Sequence, residues 1–194
     1  MSPGELVSLL SPPTASDRCY GVTIGIVTNT QDDQKLGRVK LKLPLLSQQD
    51  ETDWVRVLTP LAGQEQGLYC LPEVDDEVLV AFEQGDPQRP YVLGALWSAQ
   101  ATPPKAEAAQ RQLVSRSGHT ILLDDTKDKE RVKICDRTGK NHITITSQGN
   151  TLVIEAEGDI TIKAKGKLTL SGKGVDIDAQ GSPVNVKASQ MEVK

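Results

Sequence analysis

The feature that most restricts the fold is a repeat of about eight residues that runs from Asn150 to the C-terminus. Gly158, Gly166 and Gly174 stand eight apart. Beside them recur apolar pairs two residues apart: Leu152/Ile154, Ile160/Ile162, Leu168/Leu170, Val175/Ile177, Val184/Val186 and Met191/Val193, separated by 8, 8, 7, 9 and 7 residues. Because side chains alternate faces along a strand, each unit reads as one short strand with a single apolar face, ending at a glycine or polar corner.

One such unit supplies a strand of about five residues and a corner, which is one side of a triangular turn and not a full turn. If a single chain supplied all three sides, the 45 residues from Asn150 would give fewer than two turns, below the roughly three repeats a solenoid needs to bury its core. Three identical chains wound about one axis remove the difficulty. The expected trimer core is Leu152, Ile154, Ile160, Ile162, Leu168, Leu170, Val175, Ile177, Val184 and Val186, with Gly158, Gly166 and Gly174 at the corners. All six aromatic residues lie at or before Trp97, and a core one side chain deep would not accommodate rings.

The first half is built differently. Runs of β-type residues at 21–27, 37–43, 54–58, 77–82 and 91–96 are separated by turn signals such as Asp32-Asp33, Pro44 and Gly85-Asp86-Pro87. Five short strands at this spacing predict a small closed barrel. Val39, Leu41 and Leu43 alternate with Arg38, Lys40 and Lys42, so one face is expected in the core and the other in water. The fold class is all-β: an OB-type barrel over 19–97, after an N-terminal arm (1–18), then a linker (98–112) with Pro103-Pro104, a strand-rich neck (113–148) and a three-chain β-helix (149–194). In the neck, 120–123, 131–135 and 142–146 are strand-like, divided by the turn-rich segments 124–129 and 136–141.

Charge and cysteine content narrow the function. Through Trp97 there are 7 Lys and Arg against 14 Asp and Glu, and afterwards 15 against 12. An acidic barrel is a poor match for a phosphate backbone, so no nucleic acid is expected as partner. Cys19, Cys70 and Cys135 are far apart and odd in number, which suggests neither a disulfide framework nor a zinc site. The N-terminus has no basic stretch followed by an apolar run, and no apolar run approaches the roughly 18 residues of a membrane span, so a soluble compartment is expected unless a machine carries the protein out.

Several stretches together resemble the central spike family of contractile injection systems, which includes phage baseplate assembly protein V and the valine-glycine-repeat (VgrG) spikes of type VI secretion: Gly37-Arg38-Val39-Lys40-Leu41, Asp53-Trp54-Val55-Arg56-Val57, the run from Pro72 to Phe82, the run from Gly85 to Trp97, and Ser117-Gly118-His119-Thr120-Ile121. The resemblance covers roughly residues 20–194. It implies a homotrimer whose barrels sit on the tube or baseplate hub. Its β-helix points at the target envelope, and its blunt C-terminal end carries a tip protein of proline-alanine-alanine-arginine-repeat (PAAR) type or cargo. It further implies synthesis in the bacterial cytoplasm without a signal peptide, and transient contact with a target membrane. Relative to the family plan, neither a large hub domain before the barrel nor a lysozyme domain after it is expected. Some phage members bind iron at the apex through His-x-His; with only His119 and His142, no metal and no cofactor are expected here.

No residue constellation suggests catalysis. Glu73, Asp75, Asp76 and Glu77 could hold Ca²⁺ but read as solvated turn charge. Gly172-Lys173-Gly174 lacks the spacing and helix of a phosphate loop. Neither histidine stands at a motif spacing from a nucleophile. Trp54 and Trp97 are expected to anchor the core rather than to stack bases. The expected role is a non-enzymatic, mechanical needle that links the hub to a tip and punctures the envelope. A passive trimeric fibre or adhesin, an OB nucleic-acid module and an enzyme are the alternatives. The parent particle, whether phage, tailocin or secretion system, stays open.

Overall fold

A computed structural model describes residues 18–47 and 49–191. The arm expected over 1–18 lies outside these residues except for Arg18, and so does Val193 of the last apolar pair. The chain divides into two compact units, Met1–Lys105 and Ala106–Lys194.

In the first unit, five strands close a barrel: β1 (Val22–Asn29), β2 (Arg38–Lys42), β3 (Val55–Val57), β6 (Glu77–Phe82) and β7 (Pro90–Leu96), in the order β1-β2-β3-β7-β6. All neighbours are antiparallel except β3 and β7, whose parallel pairing closes the ring. The expected runs and these strands agree to within two residues at every end. Between β3 and β6 lies a small hairpin, β4 (Ala62–Gly63) and β5 (Gln66–Gly67), in the stretch between the third and fourth expected runs.

The core is Val27, Val39, Leu41, Leu43, Val55, Val78, Val80 and Val92, each at most 5% exposed, with Val57 and Phe82 packed against it. Val39, Leu41 and Leu43 face inward as their alternation requires. Each fully buried Val or Leu contributes about 1.5–3 kcal/mol over leaving it in water. Gly25 is buried where β1 crosses this core, and a Cβ there would lie 3.0 Å from Val80 and 3.2 Å from Leu43. Trp97 is not in the core: it follows the last residue of β7 and is 71% exposed. Trp54 immediately precedes the inward-facing Val55, so strand parity turns it outward, where it is half-buried between Arg38 and Lys40.

In the second unit five antiparallel strands form a meander: β8 (Gln110–Val114), β9 (Thr120–Asp124), β10 (Arg131–Cys135), β11 (His142–Thr146) and β12 (Thr151–Glu155), with β8 and β12 at the edges. Gln110 to Gln112, the end of the expected linker, are therefore strand. The first expected octad is β12 itself, paired with β11 through Leu152↔Ile145 and Ile154↔Ile143. The connection from β10 to β11 is built on Asp136. Its carboxylate accepts hydrogen bonds from the Thr138 amide and hydroxyl and from Asn141 Nδ2, and Gly139 takes a φ of 73°.

Beyond Glu155 the described residues form no strand ladder within the chain. They run with bends at 157–158, 165–166 and 172–173. Gly158 and Gly166 fall on bends and Gly174 just after one, but none has a positive φ, unlike Gly149 in the β11–β12 turn and Gly181 in this segment.

Candidate functional site

Register in the second unit brings the apolar residues of separate strands into line. Leu113, Ile121, Ile134, Ile143 and Ile154 are successive cross-strand partners and form one row across all five strands. Leu123, Val132, Ile145 and Leu152 form a second, with Arg111 at its β8 end. Residues two apart on a strand share a face, so the two rows make one continuous apolar face. Every member is 36–63% exposed in the single chain.

The opposite face is mixed, with a middle row of Gln112, Leu122, Lys133, Thr144 and Val153. Val114, Thr120, Cys135, His142 and Glu155 form one of its rows and Gln110, Asp124, Arg131, Thr146 and Thr151 another. Asp124, 4% exposed, fixes three strands together. It accepts from Thr126 Oγ1 at 2.6 Å and from Gln110 Nε2 at 3.1 Å, and meets Arg131 Nη2 at 3.3 Å. The Thr126 hydroxyl, with the Gln110 and Arg131 donors behind it, outweighs desolvation and holds the carboxyl below its ordinary range. His142 Nε2 stands 3.7 Å from Glu155, while its buried Nδ1 has no partner. His119 lies exposed in the β8–β9 turn, where its amide bonds Ser115 Oγ.

The ten residues expected to form a trimer core are all 55–71% exposed in the single chain. The structure places Leu152 and Ile154 on the apolar face of the meander; Ile160, Ile162, Leu168, Leu170, Val175, Ile177, Val184 and Val186 follow in the unpaired segment. A Cβ at Gly158, Gly166 or Gly174 would meet nothing within 4 Å. Residue-by-residue reading did not single out Leu113, Ile121, Leu123, Val132, Ile134, Ile143 and Ile145. Their signal is present, because each strand alternates, but only the register shows that the rows coincide. Soluble chains rarely leave so contiguous an apolar surface wet, so the arrangement is suited to burying a second layer and not to holding a small ligand.

On the barrel, side-chain chemistry is structural. Asp32 receives a forked pair of bonds from Arg38 and lies well below the ordinary carboxylate range, chiefly through that hydrogen bond. Glu51 is lowered by the Thr28 hydroxyl and then by Lys40. Arg56 stacks on Tyr91, whose hydroxyl donates to Glu83. Among Glu73, Asp75, Asp76 and Glu77, the Asp76 carboxylate accepts the Glu73 amide at 2.7 Å, and the turn is tied to β1 through Val27. Among the described residues no three His, Cys, Asp or Glu side chains converge as a metal site, and no helix is long and apolar enough to cross a membrane. Gly172-Lys173-Gly174 lies at a bend. Beside β3 and the β4–β5 hairpin is an open groove of about 750 Å³ lined by Leu36, Leu58, Leu61, Leu68 and Tyr69.

A protein-family profile described as the type VI secretion system/phage-baseplate injector OB domain matches residues 23–97, which are the barrel. The type VI secretion system spike protein VgrG3 of Vibrio cholerae is 29% identical over 147 residues, 70% of this chain and 14% of that protein. The spike protein VgrG1a of Pseudomonas aeruginosa is 32% identical over 99 residues, 45% of this chain and 15% of its own length. The actin cross-linking toxin VgrG1 of V. cholerae is 30% identical over 119 residues, 58% of this chain and 10% of that protein. The aligned part of the chain thus spans about one seventh of these relatives or less.

Proposed function

Proceeding from a chain that is VgrG-like, related to the baseplate and spike proteins, and that carries their injector OB domain, we propose that it is the central spike of a contractile tail or injection system. Three copies lay the apolar faces of their meanders and octads around one axis. The carrying observation is the uncovered apolar face of β8–β12 continued by the exposed octad pairs. In such a prism the backbone groups left unbonded beyond Glu155 pair between chains, and the Ile, Leu and Val side chains leave water together.

The work of this assembly is mechanical. Stiffness comes from a continuous ladder, and force passes along the axis from a hub at the barrel end to a PAAR-type tip or cargo at the C-terminal end. The target membrane is met transiently. No residue of the chain turns over a substrate in this reading, and no cofactor enters it. Synthesis in the bacterial cytoplasm precedes loading into the particle.

The test is the solution mass of the intact chain by light scattering. Three times the 21.0 kDa of one chain is the expected result, and the mass of a single chain would overturn the needle.

A further inference from the structure

In the unpaired segment the charges are banded. Ile160, Ile162, Leu168 and Leu170 occupy even positions, while Lys163, Lys165, Lys167 and Lys173 all occupy odd ones. In extended chain these parities are opposite faces, so Lys163, Lys165 and Lys167 share the face turned away from Ile160, Ile162, Leu168 and Leu170, and Lys173 stands exposed at the bend of 172–173 where the apolar pairs change parity. From Ile160 to Val175 there is no Asp or Glu. Just before it the same outer parity carries Glu155, Glu157 and Asp159. Just after it, where the apolar pair shifts to Val175 and Ile177, the outer positions are Asp176 and Asp178.

The two acids nearest the meander are engaged and the lysines are not. Glu157 pairs with Lys140, and Glu155 faces His142. The four lysines are exposed and make no ion pair or hydrogen bond among the described residues. A cluster of like charges repels itself and is stabilised by an anionic partner.

We propose that these four lysines form a band that docks on anionic lipid headgroups at a membrane surface. The proposal rests on the three-copy needle above, which repeats the band around the shaft. Two octad levels at about 4.8 Å each make a belt on the order of 10 Å tall. That matches a headgroup layer, about 5–8 Å on each side of the hydrocarbon core. A membrane crossed by a shaft meets one such ring at a time. A nucleic-acid backbone would instead run on over the acidic bands on either side, and residues 98–194 contain no Phe, Tyr or Trp on which bases could stack.

The test is co-sedimentation of the full chain with vesicles of equal parts phosphatidylglycerol and phosphatidylcholine, against pure phosphatidylcholine, with light scattering of every sample. Binding to the anionic vesicles alone, lost at high salt, is expected. Each lysine near an anionic surface changes partition by roughly fivefold. The K163Q/K165Q/K167Q/K173Q variant should therefore lose at least a hundredfold, while K127Q/K129Q binds as the parent does. Undiminished binding by the quadruple variant, equal binding to neutral vesicles, or full displacement by duplex DNA at matched phosphate would each overturn the assignment. A single-chain mass would sink the spike reading separately, and the same sedimentation would still decide the lysine band.

Discussion

Arg38 and Asp32 face each other as a fork on a fork: Nε donates to one carboxylate oxygen at 2.9 Å and Nη2 to the other at 2.7 Å. Asp32 also accepts the amides of Gln34 and Leu36. One side chain thus closes the β1–β2 loop on itself and ties it to the start of β2, with the guanidinium laid over Trp54. Charge-assisted bidentate pairs of this kind set orientation as well as strength.

Acid should loosen the protein through these carboxylates. The folded Asp32, Asp124 and Glu51 are depressed, and Asp136 is lowered to about 2, first by Asn141 and then by Thr138. A depressed folded value contributes stability that is complete above the unfolded carboxylate range and lost as pH falls through it toward the folded value. Unfolding midpoints in denaturant should be flat from pH 7 to about 5 and fall below about 4. D32N should be less stable at pH 7 and show a shallower acid slope; parallel curves for D32N and parent would refute the role given to this pair.

A Cβ at Gly25 would crowd Val80, Leu43 and Val78 at 3.0, 3.2 and 3.4 Å, so any side chain there pushes on the core. G25V should destabilise the barrel by about 1–3 kcal/mol through overpacking, read as a lower urea midpoint with an unchanged slope. A neutral result would mean that β1 can move off the core freely.

Ile134 and Ile143 are cross-strand partners at the centre of the apolar face. I134E/I143E should reduce the light-scattering mass to that of one chain. Thr144, between Ile143 and Ile145 on the same strand, faces the other way, so T144E should leave the mass unchanged. If both variants behave alike, the face is not the seat of assembly.

The Asp136 carboxyl organises the β10–β11 turn from both ends. D136A should speed amide exchange at Thr138, whose amide donates to Asp136 Oδ1 at 3.1 Å, and less strongly at Asn141, whose amide reaches the same oxygen at 3.5 Å. Protection equal to the parent's would show that the strands alone hold the turn.

The barrel was legible because Arg38 to Leu43 must place every second residue in water, and that two-residue period survives any change of partner. Trp97 was not, since a large apolar residue just past the end of a ladder has lost the parity that would place it. In the meander, the alternation of Ile121/Leu123, Val132/Ile134 and Ile143/Ile145 is plain in the sequence. Whether the three pairs lie level depends on turn lengths, and Asp136 to Asn141 had to be seen folded to count them. Octad spacing was read from glycines, yet Leu152 and Ile154 belong to β12, because a two-residue apolar pair is the same signal in a meander as in a helix of strands. From Ala156 on, no strand bonds form among the described residues of one chain, so local pattern shows the apolar stripe and not its cover.

The meander's two open edges, β8 and β12, give the chain a problem of timing. A sheet with a bare apolar face and unbonded rims adds any extended peptide it meets, correct or not. For the three-copy assembly proposed above, productive folding is then a race between identical neighbours and every other extended peptide. The race favours chains made close together, as on one messenger, where the local supply of the right strand outruns the wrong ones. Yield should thus depend on the crowding of synthesis as much as on the stability of the finished object.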